Sequence, residues 1–301
     1  MWVKADNNMS DDDGVGSIGR ALEKVRSGNA QPSTALVDNS RYDNTIGQRR
    51  FEYEDGIIAR SVEASEQILK MAQPFVFSKK ELDQHHMIHQ EDKNSVVHSL
   101  LKDLRNRITL QRQGMGATVL VTSVSKSPQS SLFAKNLAAI ISADESRTSL
   151  LLETHPTESK LYGNLDAVTG LCEFITENIT RVEDVIYPTG VPRMRIIPFG
   201  SSDFSDYEYL RTTRMRILVK DIIRRYPRER YTIIDAPAVD EVSDVELLNE
   251  YVDHIVVCVP YGEVSAIQLN KGLSKLDKNK LLGVVITGSP RIPRFFPKFM
   301  K

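Results

Sequence analysis

The chain has 301 residues, of which 41% are hydrophobic, and a formal net charge of −1. That suits one large globular domain with or without an extension, and it argues against general nucleic-acid affinity. No apolar run approaches the ~20 residues a membrane helix needs, and two distant cysteines, Cys172 and Cys258, exclude a disulfide framework. The polar, acidic start MWVKADNNMSDDDG is not a secretory signal, so the expected location is the cytoplasm.

Residues 1–50 are rich in Asp, Asn, Ser and Gly and are expected to be largely disordered. One stretch stands out, SIGRALEKVR, where Ile18, Ala21, Leu22 and Val25 form a helical stripe behind a Ser17 cap. A second helix is expected over 57–71. The segment that follows carries His85, His86 and His89. No acid or cysteine completes a ligand pattern there, so a solvated polar segment is expected.

From Asn94 the chain becomes regular. A helix over 95–110 places Val97, Leu100, Leu101, Leu104 and Ile108 on one side. Strands are expected at 118–122, 148–152, 194–198, 231–234, 254–259 and 282–286. Helical segments are expected at 170–178, 207–225, 242–251 and 264–276. Continuous apolar strands alternating with helices predict an α/β fold, a doubly wound, mostly parallel sheet with helices on both faces. Three units follow: an extension over 1–90, the α/β domain over 91–288, and a tail over 289–301.

The stretch TVLVTSVSKSPQSSLFAKNLA reads as strand, polar loop and helix, the frame of a P-loop nucleotide site. That frame uses G-x-x-x-x-G-K-[ST], in which glycines form a backbone nest and the lysine reaches the phosphates. Ser131 stands at the Ser/Thr position, but Ser130 replaces the lysine and Gln129 the glycine before it. No glycine lies between Gly116 and Gly163, and Pro128 lacks a backbone donor. In such a sheet the ligand site lies at the carboxyl ends of the strands. The loop over 123–131, Glu153–Pro156, Asp235–Pro237 and the residues after Ile286 would converge there.

The segment YTIIDAPAVDEVSDVELL resembles the Walker B region of the bacterial tyrosine kinases (BY-kinases), with Asp235, Pro237 and Asp244 matching its acids and proline. VEDVIYPTGVPRMRIIPFGSS and YEYLRTTRMRILVKDI resemble that family's next strand, loop and helix. SIGRALEKVR and FSKKELDQHHMI are similar to the opening of members linked to exosortase-type exopolysaccharide clusters. The MinD/ParA ATPases share the framework more distantly. The resemblance implies a P-loop fold, ATP and Mg²⁺ chemistry, and a polysaccharide co-polymerase as membrane partner.

The departures fall on the chemistry. The family's Asp-x-Asp becomes Glu153-Thr154-His155, its base-contacting Asn becomes Thr287, and its C-terminal tyrosine cluster is missing, the last tyrosine being Tyr261. Its ring-forming Glu-x-x-Arg-x-x-Arg reads Ser99, Lys102, Arg105. The expected cofactor-binding set is therefore a degenerate one, Lys126, Ser130, Ser131 and Thr287. Asp235 and Glu153 are vestigial catalytic acids, and Ser131 and Asp235 would hold Mg²⁺ only if nucleotide binds. Two further expectations concern surfaces. On the helix after residue 207, Ile217, Leu218, Ile222 and Ile223 are expected to face the core beneath a basic outer face. In the tail, Arg294, Phe295, Phe296, Lys298 and Phe299 form a basic-aromatic strip suited to a membrane or protein partner. The expectation is a catalytically impaired regulator or scaffold of exopolysaccharide assembly, cytoplasmic or peripheral to the inner membrane, with no cofactor. The alternatives are an active or weakly active tyrosine autokinase or ATPase that uses Lys126 and Asp235 and controls polysaccharide chain length, and a MinD/ParA-like positioning ATPase.

Overall fold

The computed structural model describes residues 66, 68, 70–89, 95–112, 115–157, 161–163, 168–201, 207–225 and 230–288. The helix expected at 17–26, most of that at 57–71, and the tail residues Arg294, Phe295, Phe296, Lys298 and Phe299 lie outside them.

The central strand β1 (Thr118–Ser123) is buried along its whole length. It lies in a seven-stranded sheet with β2 (Thr148–Glu153), β3 (Tyr187–Pro188), β4 (Met194–Ile197), β5 (Arg230–Asp235), β6 (His254–Pro260) and β7 (Leu281–Thr287). The order is β3-β4-β2-β5-β1-β6-β7, parallel throughout except for β3, a two-residue edge strand that the sequence pattern did not reveal. The chain leaving β1 runs to β2 on one side, whereas β6 lies on the other. This places a switch point, and a crevice, at the carboxyl ends of β1 and β5.

Alternate strand residues feed two cores. Val119, Val121, Leu151 and Ile233 pack under α2 (Val96–Gln111) and α3 (Pro128–Ser142). Leu120, Leu152, Ile197 and Ile234 pack under α4 (Leu171–Ile175), α5 (Thr213–Arg225) and α6 (Ala266–Ser274). On α2, Leu101, Leu104 and Ile108 are buried as their spacing predicts, and Ser95 caps the helix by accepting from the His98 amide.

Two expectations change. On α5 the buried set is Met215, Leu218, Val219 and Ile222, while Ile217 is 46% exposed and lies away from the core. The 3.6-residue turn puts Val219, one position after Leu218, on the buried side. The stretch after Met71 is solvated only in part: Lys79–Gln84 buries no residue, but its flanks are held to the domain. Residues 72–78 run beside the β3–β4 edge. Gln73 Nε2 donates to Thr189 O at 2.7 Å, Phe77 N donates to Gly190 O at 2.8 Å, and Arg195 donates to the Ala72 carbonyl. A capping box of Ser78 and Glu81 starts α1 (Lys79–Gln84). Met87 and Ile88 are then buried against the α2–α3 core, and His85 stacks on Phe77 with ring centroids 5.0 Å apart. Asn136 of α3 clamps this strap, accepting from Ile88 N at 2.6 Å and donating to His86 O at 3.0 Å. The backbone of this polar stretch finds its partners in the sheet edge and α3, which no local pattern specifies.

Among the described residues, no helix is long and apolar enough to cross a membrane.

Candidate functional site

Helix α3 begins earlier than its apolar periodicity indicates, with Pro128 in its first turn and Ser127 as N-cap. Ser127 Oγ accepts from Gln129 N at 3.3 Å. Ser127 O accepts from Ser130 N at 3.2 Å and from Ser130 Oγ at 2.7 Å. Ser130 therefore turns into its own helix, and the first-turn donors that would otherwise face an anion are used within the chain. The polar stretch expected as an open loop is largely a capped helix start.

Above the carboxyl ends of β1 and β5 lies a cleft of about 940 Å³. The α3 start, His155, Thr157, Pro237 and Glu241 line it, and Gln84, His85 and His86 of the strap form a further wall. The cleft gathers Lys126, Ser130 and Ser131, as the sequence predicts, together with Lys135, which the sequence reading missed.

Asp235 ends β5 and is fully buried at 0% exposure. Neither of its carboxylate oxygens accepts a hydrogen bond from the described residues. Its charged neighbour is His155, with Nε2 at 3.4 Å from Oδ1. The same Nε2 lies 3.3 Å from Ser131 Oγ, so the imidazole stands between the serine and the aspartate. Burial alone would push the His155 pKa down, but the Asp235 charge and contact outweigh it and hold the imidazole above its ordinary value. The backbone carrying this ring is fixed. Thr154 N and Oγ1 donate to Asp235 O at 3.0 and 2.8 Å, and the Tyr209 hydroxyl donates to the Thr154 carbonyl.

Glu153 sits beside Asp235 in the sheet register but takes a different partner. Lys135 Nζ approaches Glu153 Oε1 to 3.2 Å, with the two side chains 2% and 4% exposed. Thr157 joins them, accepting from Lys135 at 3.0 Å and donating to Glu153 at 2.7 Å. Burial raises the Glu153 pKa and the Lys135 charge opposes that rise. Lys126 points outward. It is 83% exposed and lies 3.6 Å from Glu241 at the rim. Thr287 is buried at the end of β7 and, like Asp235 and Glu153 beneath the cleft, is not among the residues lining it. Burial and then the Asp235 charge push the Cys258 thiol far above its ordinary range, so it is not a thiolate nucleophile.

Mg²⁺ requires oxygen ligands in near-octahedral geometry. The oxygens that would supply them, Ser131 Oγ, Asp235 and Glu153, are each in contact with a histidine or lysine of the chain itself. As arranged, these residues do not fit the ion. Lys135, Thr157 and Tyr209 are the site residues that sequence reasoning missed. One signal was available for Lys135: it lies one turn after Ser131 and is the one charged residue from Leu132 to Ile141, where Asn136 is the other polar residue.

No family model matches the chain, and no curated protein matches it. Solved structures do. The chimerical protein CapA2B2 aligns at 20% identity and TM-score 0.57, over 75% of this chain and 97% of its own. The kinase domain of Escherichia coli tyrosine kinase ETK aligns at 18% identity and TM-score 0.57, over 70% and 86%. The VpsO kinase domain aligns at 18% identity and TM-score 0.54, over 65% and 96%. At these identities the likeness is one of fold. The chain thus carries the α/β fold, with a mostly parallel seven-stranded sheet, that is seen in the ETK and VpsO kinase domains.

Proposed function

We propose that this protein is a non-catalytic relative of the bacterial tyrosine kinases, acting as a regulator or scaffold in exopolysaccharide assembly at the inner membrane. The reading is supported first by fold likeness to the ETK and VpsO kinase domains. The observation that carries it is the state of the cleft. Phosphoryl transfer depends on positioned donors and charge stabilisation. Here the loop lysine is Ser130, which hydrogen-bonds Ser127, and the three acids Glu153, Asp235 and Glu241 face Lys135, His155 and Lys126. On this reading the protein needs neither ATP nor Mg²⁺. Its partner is a polysaccharide co-polymerase or another assembly protein, met from the cytoplasmic side through the basic-aromatic strip at 294–299.

Calorimetric titration with ATP and Mg²⁺ tests the core of the proposal, and no saturable heat is expected. Incubation with the same mixture should give no phosphotyrosine. Saturable binding, or phosphotyrosine that Asp235→Ala abolishes, would overturn it in favour of an active autokinase. The exopolysaccharide role is tested by gene neighbourhood, where glycosyltransferase and co-polymerase genes are expected alongside.

A further inference from the structure

We propose that His155 is a built-in substitute for a divalent cation, closing a latent metal site whose ligands Ser131 and Asp235 are still in place. The inference rests on the non-catalytic reading and says how the site came to be closed. A buried carboxylate without hydrogen bonds is costly and calls for a cation or a proton. Asp235 is fully buried, its oxygens accept no hydrogen bond from the described residues, and the charged group that meets it is the imidazole at 3.4 Å. That ring also contacts Ser131 Oγ at 3.3 Å, so one nitrogen lies against both oxygens. The ring is a fixed part of the site, because Thr154, the residue before it, is tied to Asp235 O and held by Tyr209. A second acid at the site, Glu153, is held by Lys135 and Thr157, so closure does not depend on His155 alone for charge balance. Removing the ring leaves a buried carboxylate, a serine hydroxyl and space.

The test is a titration of full-length protein with Mn²⁺ alone, without nucleotide, read by electron paramagnetic resonance and by melting temperature. Wild type should bind Mn²⁺ no better than a surface carboxylate. His155→Ala should bind one Mn²⁺ per chain at least about tenfold more tightly, and saturating Mn²⁺ should raise its Tm while leaving the wild-type Tm unchanged. Loss of the new signal in His155→Ala with Asp235→Asn should locate the ion. Should His155→Ala fail to fold with and without Mn²⁺, His155→Ser, whose short side chain also withdraws the cation from Asp235, carries the same expectation. A folded variant with no gain in Mn²⁺ affinity overturns the proposal and leaves the non-catalytic reading standing. Wild-type affinity equal to that of the variant overturns it as well. Binding of ATP with Mg²⁺ by wild type is a separate measurement and bears on the non-catalytic reading instead.

Discussion

Lys135 and Glu153 show how a charge inside the fold is tolerated only with its partner. The pair is almost fully buried and shares Thr157 as a third member. Removing one side leaves an uncompensated buried charge, which typically costs about 3–5 kcal/mol, whereas replacing both can be nearly neutral. Lys135→Met is expected to destabilise the protein on that scale in urea unfolding, and the double variant with Glu153→Gln to recover most of the loss. A double variant no more stable than the single would mean that the pair is not coupled. His155 adds a pH dependence. Its folded pKa lies above the unfolded value of about 6.5, so the stability it contributes is fully present below about pH 6.5 and is lost as pH rises through the folded value. His85 and His254 shift the other way through burial, so the comparison must isolate one residue. The stability of wild type relative to His155→Gln should therefore be greatest near about pH 5.5 and shrink toward about pH 8.5. A difference that grows with pH would contradict the pairing with Asp235.

At the scale of elements, the strap over residues 72–89 is the feature most exposed to a single change. Gly190 lies directly beneath Phe77. A Cβ there would sit 2.1 Å from the ring, closer than real contacts allow. Gly190→Ala should push the Phe77 ring off the β3–β4 edge, weakening the Phe77 N to Gly190 O bond and the stacking with His85. Faster amide exchange over residues 72–89, with β1 and β5 still protected, is the expected readout. Unchanged exchange in the strap would show that Phe77 is not its anchor. Asn136→Ala acts at the other end of the strap. It leaves the Ile88 amide and His86 carbonyl without their partner, at a cost of about 1–3 kcal/mol. Because His85 and His86 line the cleft, loosening the strap should also open that wall.

For the whole molecule, assembly and attachment are the open properties. The segment that resembles the kinases' ring helix forms α2. It presents Ser99 to solvent, and Arg105 is directed toward the Ile140 carbonyl at 3.5 Å. Without an acid at position 99 to pair with a neighbour's arginine, monomers or small assemblies are expected in sedimentation, and a closed ring without a partner would contradict this. The segment 289–301 holds four Lys or Arg residues among three phenylalanines and no acid. Each basic residue near an anionic leaflet contributes roughly 1 kcal/mol, enough together for reversible attachment. Flotation with anionic liposomes at low salt should carry the full chain but not a chain ending at Gly288. If neither floats, a protein partner becomes the target of the strip.

The fold class was readable from the sequence because strands buried on both faces must be apolar throughout. The runs in β1, β2, β5, β6 and β7 left little choice of architecture. That no glycine lies between Gly116 and Gly163 and that Ser130 precedes Ser131 was equally plain, being a matter of residue identity. The partners of the buried charges were not readable. His155 looked like a poor metal ligand, and only the register of β2 against β5 brings its ring between Ser131 and Asp235. Lys135 drew no reading from the sequence, and it is the crossing of α3 over β2 that sets it against Glu153. The strap looked solvated because its backbone partners, Thr189, Gly190 and Asn136, lie at least 48 positions away along the chain. Burial patterns are local and repeat along a strand or helix, so sequence carries them. Which charge meets which, 18 positions apart for Lys135 and Glu153 and 80 for His155 and Asp235, depends on register and crossing, and those exist only once the sheet has closed on its helices.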